Sequence, residues 1–149
     1  MFFPRIDENI FRQEGWHHEL ADPAGPLTRK GVVYNEMQGV YSSPDSLLAE
    51  HSQRCLFPDN PYGLDSGGDP EVIPALTHQQ FTDFHRRYYH PANARIVFYG
   101  DDDPDKRLEI LAACLDAYEP LSVNSSVALQ PRMEFPRTVA KSYAAGESG

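Results

Sequence analysis

A carboxylate set into an apolar helical stripe constrains this chain more than any other feature. Lys30-Gly31-Val32-Val33-Tyr34-Asn35-Glu36-Met37-Gln38-Gly39-Val40 places Val32, Glu36 and Val40 four residues apart. That spacing stacks them on one side of a helix, with Val33 and Met37 flanking. The periodicity predicts a helix from about Leu27 to Val40, with Thr28 as its cap. A carboxylate buried there would be costly unless a positive partner meets it, either an Arg or a metal ion. The alternative is a Glu at the edge of the stripe with its tip in water, the usual arrangement for a charged side chain.

The remaining periodicity is cut into short pieces by prolines and glycines. Residues 8–21 scatter Phe11, Trp16 and Leu20 among polar positions, with Trp16 to Leu20 readable as a strand and Asp22 to Pro26 as a loop. Ser43-Pro44-Asp45 is a strong helix start: a capping Ser, a Pro at the first position and an acid in the first turn. That helix carries Leu47, Leu48, Cys55 and Leu56 and stops at Pro58, and residues 57–76 are irregular. Thr77-His78-Gln79-Gln80 fits a capping box, opening a helix with Phe81, Phe84, His85 and Tyr88 on one face. Arg95 to Tyr99 is predicted to be a short buried strand. Asp101-Asp102-Asp103-Pro104 opens a last helix that aligns Leu108, Leu111, Ala112 and Leu115, and periodicity ends after Pro120. The pattern predicts an α+β arrangement, helices on one side of a sheet.

With 149 residues the chain suits one domain with a modest core. Its net charge is −9 and no run of Lys and Arg exceeds two residues, which argues against a nucleic-acid partner. The acidic surface would suit cationic ligands such as basic peptides, although solvated surface charge is the ordinary explanation and the better one. No apolar run approaches the roughly 18 residues that cross a membrane. The start of the sequence reads as neither a secretory signal nor an Arg-rich transit segment. Without secretion the Asn124-Ser125-Ser126 acceptor pattern has no role. Cys55 and Cys114 are expected to be buried free thiols.

Motif by motif, the chemistry is sparse. The histidines are His17, His18, His51, His78, His85 and His90, and no pair has the H-E-x-x-H or H-x-x-E-H spacing of a zinc helix. Ser66-Gly67-Gly68-Asp69-Pro70 lacks the Gly-Lys-Ser/Thr ending of a phosphate loop and reads as a turn that needs a positive φ. No G-x-S-x-G occurs. Tyr88, Tyr89, Phe98 and Tyr99 are expected in the core.

Several segments in order carry a resemblance. They are Gln13-Glu14-Gly15-Trp16-His17-His18-Glu19-Leu20, the Lys30 to Tyr41 stretch, Tyr62-Gly63-Leu64-Asp65-Ser66-Gly67-Gly68-Asp69-Pro70, Ile73-Pro74-Ala75-Leu76-Thr77, and Phe84 to Arg95 running into Phe98-Tyr99-Gly100-Asp101. Together they resemble the pitrilysin family of zinc metalloendopeptidases, most of all its presequence-protease branch. The resemblance implies helices packed on a mainly antiparallel sheet. Residues 1–119 would form the C-terminal part of the first, zinc-binding domain, and 120–149 a linker toward a following domain.

In that family an inverted H-x-x-E-H helix supplies two His ligands and a general-base Glu, and a Glu from a later helix is the third zinc ligand. The resemblance carries that third role onto Glu36. No H-x-x-E-H is present, so the general base falls outside these residues, no catalytic residue is assigned within them and the chain alone is expected to be inactive. The substrate-binding residues stay unknown. The implied cofactor is one zinc ion. The implied partners are short unstructured peptides, basic presequences among them, together with the rest of the same polypeptide. The implied compartment is the mitochondrial matrix or the chloroplast stroma, with the cytoplasm as alternative. The competing reading is a non-catalytic pitrilysin-like structural or peptide-binding subunit. A standalone acidic binding domain is a third, but it would leave an open sheet edge.

Overall fold

Oxygen-bearing side chains start most of the helices in the computed structural model of the chain, which describes residues 4–143. The chain divides into two units, one of Asp7–Leu76 with the segment from Val127 onward, the other of Thr77–Ser126 with the residues up to Ile6.

In the first unit, α1 (Glu8–Glu14) begins where the Asp7 carboxylate accepts the Ile10 N–H at 3.0 Å. Gly15 closes it by donating to the Phe11 carbonyl. The chain then forms a two-stranded antiparallel sheet, β1 (His17–Glu19) on β2 (Thr28–Lys30), with His17 opposite Lys30 and Glu19 opposite Thr28. Helix α2 therefore spans Val32–Val40, and the predicted start at Leu27 with a Thr28 cap is wrong. Thr28 is spent on the strand pair, and its hydroxyl donates to the Glu19 carbonyl.

Gly31 replaces the missing cap. It has a φ of 154°, and a Cβ there would fall 2.7 Å from Trp16 Cα, so only glycine lets the chain pass this close to the start of β1. In return, Tyr34 N–H at the first turn of α2 finds the Gly15 carbonyl.

Helix α3 (Pro44–Leu56) starts as the sequence predicts, with the Ser43 hydroxyl accepting from Ser46 N–H, Pro44 at the first position and Asp45 in the first turn. Short 3₁₀ turns at Pro61–Gly63 and Ile73–Ala75 break up the segment that follows. Gly68 takes a φ of 95°, as the turn reading requires. The core of this unit is small: Tyr34, Met37 and Ile73 are buried, with Trp16, Val33 and Tyr41 packed against them. Trp16 Nε1 donates to the Leu76 carbonyl at 2.9 Å, tying β1 to the end of the irregular segment.

In the second unit, α4 (His78–Tyr88) carries the predicted capping box between Thr77 and Gln80, and α5 (Pro104–Leu115) starts on the Asp103 carboxylate, which accepts from Asp105 and Lys106. A 3₁₀ turn at Pro91–Asn93 follows α4, and its Ala92 N–H donates to the His90 ring at 3.2 Å.

The predicted buried strand at Arg95–Tyr99 is not formed: Val97 and Tyr99 are exposed, and no strand among the described residues pairs with the segment. A β-rich composition makes a strand only where a neighbour takes its backbone N–H and C=O groups. The same lack of a covering layer leaves Phe81, Phe84, Tyr89, Phe98 and Leu108 exposed, against the expectation of a core. Cys114 is likewise exposed and Cys55 only half-buried, so neither is the buried thiol expected. Helices with one small antiparallel sheet nonetheless make the chain α+β, as predicted.

Candidate functional site

The side chains that hold α2 in place lie about a third of a turn around the helix from the stripe read in the sequence. Tyr34 and Met37, one turn apart, are the buried pair, with Val33 and Tyr41 extending the same face. Each residue turns a helix by about 100°, so the face through Met37 adjoins the face through Glu36 and is turned from it by that angle. Val32 is 53% exposed, Val40 41%, and Glu36 between them is also exposed. Of the two arrangements the spacing leaves open, Glu36 takes the second, with its carboxylate in solvent. It projects from an exposed apolar strip, and no hydrogen bond or ion pair to it occurs among the described residues.

Under α2 the floor is firm. The backbone of Gly67 abuts Met37, and a Cβ on Gly67 would come within 2.9 Å of Met37 Cε. Asp65 holds this turn by accepting the Gly67 N–H at 2.9 Å through Oδ1, and its other oxygen accepts the Tyr41 hydroxyl at 3.4 Å. Asp69 accepts from Arg54 at 3.1 Å, and Arg54 also pairs with Glu50 one turn earlier on α3. Burial, with the nearby charges of Glu50, Asp65 and Asp69, pushes the Tyr41 phenol up to about 12. The hydrogen bond to Asp69 raises the Arg54 guanidinium above its ordinary value.

Sequence reasoning missed this Tyr41–Asp65 and Glu50–Arg54–Asp69 network. Only the Glu50–Arg54 spacing of four was visible in advance. Asp65 and Asp69 come from a turn whose path no periodicity encodes.

Four of the six histidines are engaged elsewhere. His17 Nδ1 meets the Arg12 carbonyl at 2.8 Å, His78 Nε2 meets the Ile6 carbonyl at 2.8 Å, His85 stacks on Tyr89, and His90 caps a turn. The Ser66–Pro70 glycines serve the turn that supports Met37, not a phosphate.

Comparison with known proteins decides what this arrangement belongs to. Over 153 aligned residues the chain is 50% identical to presequence protease 1, chloroplastic/mitochondrial, of Arabidopsis thaliana, covering all of this chain and 14% of that protein. It is 43% identical to the mitochondrial presequence protease of Danio rerio, over 92% of this chain and 14% of the relative. Against protein HypA of Clostridium perfringens it is 40% identical, over 99% of this chain and 16% of the relative. Residues 75–144 match the family described as Peptidase M16 inactive domain.

The chain belongs to the pitrilysin family. Within that family its place is with the presequence proteases, and it spans about a seventh of the length of the relatives it matches. Pitrilysin-family peptidases are in general zinc-dependent. Glu36 lies before the segment matched as the inactive domain. Among the described residues no three His, Cys, Asp or Glu side chains gather closely enough to hold a metal ion. A catalytic zinc site takes about three protein ligands. The described residues therefore do not by themselves form the whole of such a site.

Proposed function

We propose that these residues are part of a zinc metalloendopeptidase that degrades targeting presequences and other short unstructured peptides, and that Glu36 supplies one carboxylate ligand to its zinc ion. The observation that carries this reading is the presentation of Glu36. The acid is unpaired among the described residues, flanked by exposed valines, and mounted on a helix clamped from behind by Met37 and Gly67. A carboxylate aimed at solvent from an apolar strip suits a cation brought by another part of the polypeptide, because apolar neighbours exclude water around the ion.

Residues 1–119 would belong to the zinc-binding domain and 120–149 to the connection beyond it. The compartment would be mitochondrial or plastid, as the names of the relatives state for those proteins. The acidic balance of the chain, −9, supports basic peptides as substrates.

The role left to this chain's own residues is positional. Helix α2, backed by the Met37–Gly67 contact, carries Glu36 between the exposed apolar side chains of Val32 and Val40. Proton transfer to and from the substrate requires a general base, and none is assigned within these residues. The 149-residue chain alone is accordingly proposed to be inactive.

A second reading, a non-catalytic structural or peptide-binding subunit, draws support from the match of residues 75–144 to a domain described as inactive. One experiment separates the two. Zinc content and cleavage of a basic amphipathic peptide are measured on the polypeptide as its source cells make it, and on its Glu36→Gln variant. Chelator-sensitive cleavage, with zinc affinity at least about ten-fold weaker in the variant, is the expected result. Full zinc retention by Glu36→Gln would sink the ligand assignment, and peptide binding without cleavage would favour the second reading.

A further inference from the structure

The segment after Ser126 carries the composition of a linker, yet it is fastened to a turn about seventy residues earlier in the chain. Asp59 and Gln130 grip each other reciprocally. The Asp59 backbone N–H donates to Gln130 Oε1 at 3.0 Å, and Gln130 Nε2 donates to Asp59 Oδ2 at 2.6 Å. Next to them the Asn60 side-chain amide donates to the Ala128 carbonyl at 3.3 Å. Asn60 is itself fixed, because its Oδ1 accepts the Tyr62 N–H at 3.0 Å and starts the Pro61–Gly63 turn. Pro58 and Asp59 face Gln130 to Phe135 and Arg137 across a cleft of about 370 Å³.

We propose that Val127–Arg137 is a latched strap, closed on the unit that bears Glu36 by the Asp59–Gln130 pair. One side of that pair is a carboxylate, which makes the Gln130 Nε2 bond charge-assisted and stronger than a neutral one. Two of the three bonds converge on a single side chain, so Gln130 decides whether the strap is closed. No regular secondary structure holds the segment otherwise. The latch is therefore a local device: it opens without unfolding α2 or α3, which lack any share in it. Its state sets whether the chain beyond residue 127 leaves from the Phe57–Asn60 turn or swings free. This inference does not depend on zinc or on peptidase activity.

Limited trypsin digestion of the 149-residue chain tests it, read by mass spectrometry as the rate of cleavage after Arg132 and Arg137. Cleavage after Lys106 and Arg107 in α5 is the internal reference. Under gentle digestion, cutting follows the open population. Gln130→Glu sets two carboxylates face to face and is expected to raise strap cleavage roughly five-fold over the reference. Asp59→Asn in that background reverses the polarity of the pair: the new side-chain amide at position 59 donates to the new carboxylate at position 130, and the backbone N–H at position 59 keeps its acceptor. Strap cleavage is then expected to return to within about two-fold of the parent chain. Equal strap cleavage in the parent and in Gln130→Glu would overturn the proposal, and so would a double variant as open as the single one.

Discussion

Met37 of α2 rests on the bare backbone of Gly67, with no room between them for a methyl group. Gly67 is in turn held by Asp65, and Asp65 also receives the Tyr41 hydroxyl from the residue that closes α2. A turn of small and acidic residues thus sets how high α2 stands, and with it the height of Glu36 one residue before Met37.

Overpacking at this contact should be measurable. Gly67→Ala is expected to cost about 1–3 kcal/mol of stability, and Met37→Ala about 2–5 kcal/mol. Combined, they should cost less than the sum, because the truncated side chain makes room for the new methyl. Urea unfolding of the four proteins checks this, and simple additivity would show that the two residues do not share a contact.

Tyr41 makes stability sensitive to alkali. Its phenol is held up at about 12 in the folded chain, against about 10 for an ordinary tyrosine. Between those values the folded state keeps a proton that the unfolded state has lost. Stability contributed by the neutral phenol is therefore complete below about pH 10 and lost as pH climbs toward 12. Urea midpoints taken from pH 8 to 11 should fall more steeply in the parent chain than in Tyr41→Phe. Parallel curves would refute this account of Tyr41.

Arg54 sits between two acids, Glu50 and Asp69, whose side chains are 11% and 17% exposed. Arg54→Ala leaves these carboxylates without their common cation. Because Arg54 itself is 45% exposed, solvent screens the pair and the loss should be only about 1 kcal/mol. The deficit should shrink in about 1 M salt, which screens a partly exposed ion pair. A deficit undiminished by salt would mean that Arg54 acts through packing of its stem.

Glu36 should be dispensable for folding. An exposed side chain without a partner leaves little behind when changed, so Glu36→Gln is expected to shift stability by less than about 0.5 kcal/mol. A thermal melt of the 149-residue chain and its variant measures this. A loss of several kcal/mol would mean that the acid is a structural member of α2.

Caps were the most legible part of the fold. Ser43-Pro44, the Thr77/Gln80 box and Asp103-Pro104 each act within one turn of their own sequence, and each starts its helix where expected. The start of α2 was misplaced because Thr28–Lys30 is claimed by His17–Glu19, a pairing between residues about ten positions apart. The α2 stripe was misread by one residue's rotation. Val32 and Val40 are as apolar as Tyr34 and Met37, and periodicity cannot say which of two adjoining apolar strips meets the turn at Gly67. Arg95–Tyr99 failed for a different reason, since a strand is a property of a pair and no described segment pairs with it. At the candidate site spacing singled out Glu36 but left it between a buried ligand and a surface acid, and its ligand role came from resemblance alone.

The joint at Gly31 has a further consequence for register. Because a side chain cannot be accommodated there, the first turn of α2 cannot slide along the chain to absorb a change in length. One residue inserted between Gly31 and Glu36 would turn the acid by about 100°, toward the side where Met37 now meets Gly67. One residue removed would turn it the other way. The count of residues from Gly31 to Glu36 therefore acts as an angular setting, fixed at one end by a glycine and read out at the other as the direction in which a carboxylate points.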